Sequence, residues 1–188
     1  MEVPHGHSLA AEAAWRHEQQ ATGKPAAFSL SSKSERRSSL NSTLIIAEKP
    51  SVALAIAAVV GADKRKNGYL EGNGYLVSWC VGHLVSLAQP ENYDLRLARW
   101  RRADLPILPD PWQYVPNEKT KKQLDLLCSL MNRPDIETIV CATDAGREGE
   151  LIFRLVYDCC RCSKPVKRLW ISSLEESAIR EGMAHLKD

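Results

Sequence analysis

The chain has 188 residues, with 25 Lys plus Arg against 23 Asp plus Glu, a net charge of +2, and 44% hydrophobic and 26% charged residues. That composition is ordinary for a globular protein and predicts one domain of modest size, able to bury about two-thirds of its unfolded surface without disulfide staples. The near balance of charge excludes a protein that holds nucleic acid by bulk electrostatics, so any such contact must be local.

The six cysteines stand at 80, 128, 141, 159, 160 and 162, three of them crowded together. This is not the spacing of a secreted disulfide framework, and a reducing compartment is expected. The first residues, Met-Glu-Val-Pro-His-Gly-His, lack a basic region, and no apolar run approaches the ~20 residues that span a bilayer. A soluble, cytoplasmic protein without membrane association is expected.

Residues 1–42 combine a Ser cluster with few large apolar side chains and read as a disordered or weakly helical leader, with at most a short helix over 8–20. His5 and His7 are incidental on such a segment. From Thr43 the pattern sharpens. Leu44-Ile45-Ile46-Ala47 is a continuous apolar run of the kind that forms a buried parallel strand, and Glu48 follows it. Pro50 suits a first helical turn, and the Ala-rich stretch Ser51 to Val60 ends at Gly61, a helix C-cap.

Tyr69 to Glu71 and Tyr75 to Trp79 flank Gly72-Asn73-Gly74, which predicts an antiparallel hairpin. Five prolines between Gln89 and Pro116 forbid long regular elements and predict an extended excursion over the surface. A helix is expected from Glu118 to Met131, a second buried strand over Ile136 to Thr143, and an apolar helix from Leu151 to Cys159 after the break Asp144-Ala145-Gly146-Arg147-Glu148-Gly149-Glu150. Val166 to Ile171 reads as a third strand, and Ser173-Leu174-Glu175-Glu176 as a capping box opening a helix toward Leu186. Alternating strands and helices predict an α/β fold, a Rossmann-like parallel sheet flanked by helices, carrying its functional groups at the C-terminal strand ends. Cys159-Cys160-Arg161-Cys162 contains a C-x-x-C with no second ligand pair near it, so helix-end thiols are expected rather than zinc.

Two strand ends thus deliver acids to one rim: Glu48 from the first, and Asp144, Glu148 and Glu150 from the second. A few carboxylates on a sheet edge suit Mg²⁺, which completes its octahedron with water and phosphate oxygens. Lys49 and Arg147 supply cations for a phosphate, the first as a point charge and the second as a two-toothed fork. A second reading stands beside this one, in which Glu148 and Glu150 are first-turn charges favoured by a helix macrodipole. No Walker-type phosphate loop occurs.

Leu44-Ile45-Ile46-Ala47-Glu48-Lys49-Pro50-Ser51, then Val77-Ser78-Trp79-Cys80-Val81-Gly82-His83-Leu84, then Ala142-Thr143-Asp144-Ala145-Gly146-Arg147-Glu148-Gly149-Glu150 closely resemble the Toprim domain of type IA DNA topoisomerases, in the topoisomerase III branch. The resemblance runs from about Thr43 to the C-terminus and includes Lys167-Arg168-Leu169-Trp170-Ile171-Ser172-Ser173-Leu174. It implies a Toprim domain over residues 43–188 and a catalytic group of Glu48, Lys49 and Arg147. Glu48 would sit at the scissile phosphate as a metal-binding and acid/base group. Asp144 and Glu148 match the outer acids of the family's D-x-D-x-E motif, so Glu48, Asp144 and Glu148 are the implied Mg²⁺ ligands. Gly146 takes the place of the middle aspartate, which removes one expected ligand and leaves one or two metals open, while the three remaining carboxylates suffice for one Mg²⁺.

Arg99-Trp100 resembles a segment that lies along single-stranded DNA, where an indole stacks on a base and a guanidinium holds phosphate; the alternative is a core-packing Trp. His83 resembles a position lining the active-site side, and a satisfied structural histidine is its alternative. The family cuts one strand through a tyrosine hydroxyl and reseals it without ATP. Tyr69, Tyr75, Tyr93, Tyr114 and Tyr157 lie in no segment resembling that nucleophile's motif. The chain therefore reads as a topoisomerase portion whose partners are single-stranded DNA and the missing downstream topoisomerase domains, associated with the nucleoid when on DNA. A stand-alone Toprim nuclease and a non-catalytic DNA-binding remnant are the other readings.

Overall fold

The computed structural model describes residues 41–188. The expected leader, with His5, His7 and the short helix over 8–20, lies outside the described residues except for its last two positions. Ser42 already belongs to the first strand, β1 (Ser42–Ala47).

β1 is the axis of a six-stranded sheet. It pairs in parallel with β4 (Tyr75–Trp79) on one side and β7 (Ile136–Ala142) on the other. β8 (Val166–Arg168) extends the parallel half beyond β7. Antiparallel strands β3 (Tyr69–Gly72) and β2 (Lys64–Arg65) extend the opposite edge, giving the order β2-β3-β4-β1-β7-β8. The β3–β4 hairpin turns through Asn73 and Gly74, both at positive φ (48° and 79°), the backbone signature that Asn-Gly is suited to supply.

Successive residues of a strand face opposite sides, and β1 is apolar on both. Leu44 and Ile46 pack with Leu124, Leu127, Met131, Phe153 and Val156. These come from α3 (Lys121–Met131) and α4 (Arg147–Cys159). Ile45 and Ala47 pack on the other face with Ala53, Ile56, Ala57 and Ile179. Those come from α1 (Pro50–Val60) and α5 (Glu176–Ala184). The result is an α/β fold with a mixed, mostly parallel sheet between two helical layers. The Pro-rich excursion carries the short helix α2 (Pro90–Tyr93), two 3₁₀ turns over Leu95–Arg99 and Arg102–Asp104, and strand β6 (Tyr114–Pro116). β6 pairs antiparallel with β5 (Val85–Leu87) as a separate small sheet.

Boundaries differ from expectation in several places, and α3 begins at Lys121, after a 3₁₀ turn over Glu118–Thr120, rather than at Glu118. α1 ends as expected at Gly61, in the left-handed region with φ 78°. α4, however, begins at Arg147 rather than Leu151, so Glu148 and Glu150 stand in its first turn. The capping box at Ser173 does not form: the Ser173 hydroxyl accepts the Glu175 N–H in a local turn, and α5 opens only at Glu176. The third strand stops at Arg168, whose N–H and carbonyl pair on the outer edge with Lys187, rather than at Ile171.

The cysteine expectation requires correction. Cys128 of α3 and Cys160, at the end of α4, form a disulfide with their Cα atoms 4.7 Å apart. Two helices packed side by side on one face bring together positions 32 residues apart, which spacing along the chain does not reveal. Cys159 and Cys162 remain thiols, the first exposed and the second buried. No helix among the described residues is long and apolar enough to cross a membrane.

Candidate metal and phosphate site

The site follows from register. Ala47 lies opposite Ala142 on adjacent parallel strands, so the chain leaves both strands at the same rim. Glu48 is the next residue on one side; Thr143 and Asp144 follow on the other. The Glu48 side chain is only 13% exposed, and its Oε2 accepts the Asp144 backbone N–H at 3.2 Å. Lys49 Nζ stands 3.7 Å from Glu48 Oε1 and 3.7 Å from Asp144 Oδ2. A cation between two carboxylates offsets their mutual repulsion, so this point of the rim favours positive charge.

Behind Asp144 the chain turns directly into α4. Gly146 is its N-cap and supplies no side chain to cap the helix, so the first-turn amides face the rim. Thr143 Oγ1 donates to the Gly149 carbonyl at 2.8 Å, tying the helix to the strand end. The first-turn acids then separate by task. Glu148 meets His83, with Oε1 2.5 Å from Nε2. Glu150 Oε1 accepts from Arg154 Nε at 2.7 Å, and its Oε2 lies 3.4 Å from Arg168 Nε. Arg147 is exposed at the first position of the helix.

Of the implied ligand trio, then, the fold brings Glu48 and Asp144 together, while Glu148 is engaged by His83. Among the described residues no group of three or more His, Cys, Asp or Glu side chains is close enough to hold a metal ion. Mg²⁺ is commonly held by one or two carboxylates, with water and phosphate completing the octahedron. The Glu48–Asp144 pair fits such an ion in donor type and number. Burial, with Cys141 and Glu48 nearby, pushes the Cys80 thiol up to about 12, and burial also raises Cys141. Burial thus favours the protonated form of both thiols.

Arg99 and Trp100 lie at the end of a 3₁₀ turn in the excursion, where Trp100 is 55% exposed. Neither forms a hydrogen bond or ion pair with the rim among the described residues. The core-packing alternative for Trp100 does not hold, since half of its surface faces solvent. Sequence reasoning assigned no task to Arg168, whose guanidinium is buried against the backbone of the β7 end. Its neighbour Lys167 is basic too, so nothing in the Val166 to Ile171 run singled Arg168 out. A cleft of about 470 Å³ opens beside Asp144, with Thr143, Trp170, Ile171 and Ser172 among its walls.

This arrangement, acids at the C-terminal ends of two adjacent parallel strands with a lysine between them, is that of a Toprim domain, and residues 43–174 match that family. The chain belongs to the Toprim domain family. It is 49% identical over 148 residues to DNA topoisomerase 3 of Bacillus cereus (strain ATCC 10987 / NRS 248), a match covering 79% of this chain and 20% of that protein. It is 48% identical over 148 residues to DNA topoisomerase 3 of Bacillus subtilis (strain 168), with the same coverage. The chain thus spans about a fifth of the length of the curated relatives it matches. Among solved structures, full-length topoisomerase I from Thermotoga maritima shares the fold, with a TM-score of 0.51 and 20% identity over 77% of this chain and 21% of that one.

Proposed function

We propose that this chain is the Mg²⁺-binding Toprim portion of a type IA DNA topoisomerase of the topoisomerase III kind, supporting ATP-independent cleavage and religation of single-stranded DNA. One observation carries the reading: Glu48 and Asp144 meet at the rim with Lys49 3.7 Å from each, in a chain about half identical to part of DNA topoisomerase 3. Glu48 and Asp144 would hold the ion, with Glu148 joining them only on release from His83. The bound ion would neutralise developing charge on the scissile phosphate.

The chain's own groups take the remaining tasks. Lys49 and Arg147 hold phosphate oxygens, one as a compact charge and the other as a fork. Glu48, largely shielded from water, holds or releases a proton at the oxygen that leaves or re-attacks the phosphorus. Arg99 and Trp100 give the excursion an exposed cation and indole with which to follow a single strand. The nucleophilic tyrosine and strand-passage domains of such an enzyme are not supplied by the residues described, and in-line positioning of a nucleophile is worth about 7–11 kcal/mol of barrier.

The test uses negatively supercoiled plasmid and a labelled single-stranded oligonucleotide, each with Mg²⁺. The chain alone is expected to be inactive on both and to restore relaxation when the remaining topoisomerase 3 domains are added in trans, an effect lost in Glu48→Gln. Mg²⁺-dependent hydrolysis of the oligonucleotide by the chain alone would replace this reading with a nuclease. Failure to restore relaxation would leave a non-catalytic module.

A further inference from the structure

Arg168 ends β8, yet only 7% of its surface is exposed. Its guanidinium is directed at the backbone of the neighbouring strand end. Nη1 donates to the carbonyls of Cys141 and Thr143, both at 2.9 Å, and Nη2 donates to the Asp144 carbonyl at 2.8 Å. Nε forms no hydrogen bond and lies 3.4 Å from Glu150 Oε2. One side chain therefore grips the last part of β7 and the first two residues beyond it, including the backbone that carries the Asp144 carboxylate.

Stability alone does not call for this. A buried charge pays a large desolvation penalty, and apolar replacements of buried ion pairs are often neutral or stabilising. What a guanidinium offers is a rigid planar fork able to hold several carbonyls at fixed angles, which an ammonium cannot reproduce. The Thr143 and Asp144 carbonyls it holds belong to the turn whose Asp144 N–H donates to Glu48 and whose Asp144 carboxylate meets Lys49.

We propose that Arg168 is the positioning residue of the acidic rim: by clamping the Thr143 and Asp144 carbonyls it fixes the Asp144 carboxylate opposite Glu48 and thereby sets the affinity of that pair for a divalent cation. The affinity claim rests on the Mg²⁺ reading above, whereas the pinning of the strand end is measurable without any metal. Glu150 completes the device by supplying the counter-charge that orients the guanidinium.

The experiment uses the full chain and its Arg168→Lys variant. Metal-free amide hydrogen exchange is followed at Asp144 and Gly146, with the β1 amides as internal control, alongside thermal unfolding and calorimetric titration with Mg²⁺. Loss of charge-assisted bonds to the carbonyls is expected to speed exchange at Asp144 and Gly146 about tenfold, with β1 amides little changed, and to weaken Mg²⁺ about fivefold. A merely structural arginine would instead shift β1 exchange and unfolding together, leaving Mg²⁺ affinity at the folded site intact; that pattern overturns the proposal. Unchanged exchange at Asp144 and Gly146 in a folded variant overturns it as well. If the wild-type chain takes up no Mg²⁺, the metal reading falls and the affinity claim with it, while loop exchange alone decides whether Arg168 pins the strand end. Should Arg168→Lys fail to fold, Glu150→Gln leaves the carbonyl bonds in place and removes the counter-charge. It is expected to speed the same two amides about threefold, and no change there counts against the device.

Discussion

Gly149 offers a direct test of how tightly the acidic turn is built. It is buried in the first turn of α4, where an added Cβ would stand 2.3 Å from the Asp144 carbonyl oxygen, 2.9 Å from its nitrogen and 3.0 Å from its carbonyl carbon. The obstacle is backbone, so no rotamer change relieves it. Thr143 Oγ1 holds the Gly149 carbonyl from one side, and Arg168 holds the Asp144 carbonyl from the other. Gly149→Ala must therefore open the gap by roughly 0.7 Å merely to reach a tolerable contact.

Overpacking of this kind costs about 1–3 kcal/mol, and the better helix propensity of Ala returns at most about 1 kcal/mol. A net loss of about 1–2 kcal/mol is expected, with Tm falling about 2–4 °C for each kcal/mol lost in a chain of this size. Because the displaced atoms carry Asp144, Mg²⁺ affinity should fall more than stability does. Gly146→Ala is the control. No atom lies within 4 Å of its Cβ, and φ of −170° is extended backbone open to any residue, so stability should change by less than about 0.5 kcal/mol. Urea denaturation and calorimetric titration of both variants decide the matter. If Gly149→Ala matches Gly146→Ala in midpoint and in Mg²⁺ affinity, the turn is not tightly packed and the reasoning fails.

Two further predictions concern cysteine and pH. Under native, non-reducing conditions a thiol reagent should titrate Cys159 rapidly while Cys80, Cys141 and Cys162 stay protected, and reduction of Cys128–Cys160 should lower stability by about 3–4 kcal/mol on the chain-entropy estimate for its 32-residue separation. Rapid labelling of all four thiols, or an unchanged unfolding midpoint after reduction, would contradict this. Arg133 bonds Asp135 through both carboxylate oxygens and holds its carboxyl below the ordinary value of 3.8. This stabilisation is present above the unfolded carboxyl pKa and is lost as pH falls through the lower folded value. Asp135→Asn should therefore flatten stability against pH below about 4, by no more than about 1 kcal/mol for so exposed a pair. An unaltered slope would show that the pair contributes nothing.

The central strands, the Asn-Gly hairpin, the Gly61 cap and the order of acids along the chain are local statements, and they were legible from the sequence. Apolar runs and turn residues report their own segment through period and φ preference, whatever the rest of the molecule does. Glu48 and Asp144 could be placed on one rim for the same reason, since parallel strands leave a sheet at the same edge. Helix starts were less legible. α4 recruits Arg147 to Glu150 because Thr143 and the Asp144 backbone meet its first turn, and the Ser173 capping box is lost to a local Ser173–Glu175 turn.

Tertiary packing decided the partners. Nothing in the spacing of His83 and Glu148, 65 residues apart, or of Cys128 and Cys160, shows that each pair meets. Arg168 reads along the chain as one more basic residue, and it becomes a clamp only because β8 lies beside β7 in register with Cys141. Sequence patterns determined which carboxylates arrive at the rim, through the alternation of strands and turns. The three-dimensional pairing of distant side chains decided which of those carboxylates face one another and which are held by His83, Arg154 or Arg168, because hydrogen bonds and ion pairs act over a few ångströms of space whatever the separation along the chain.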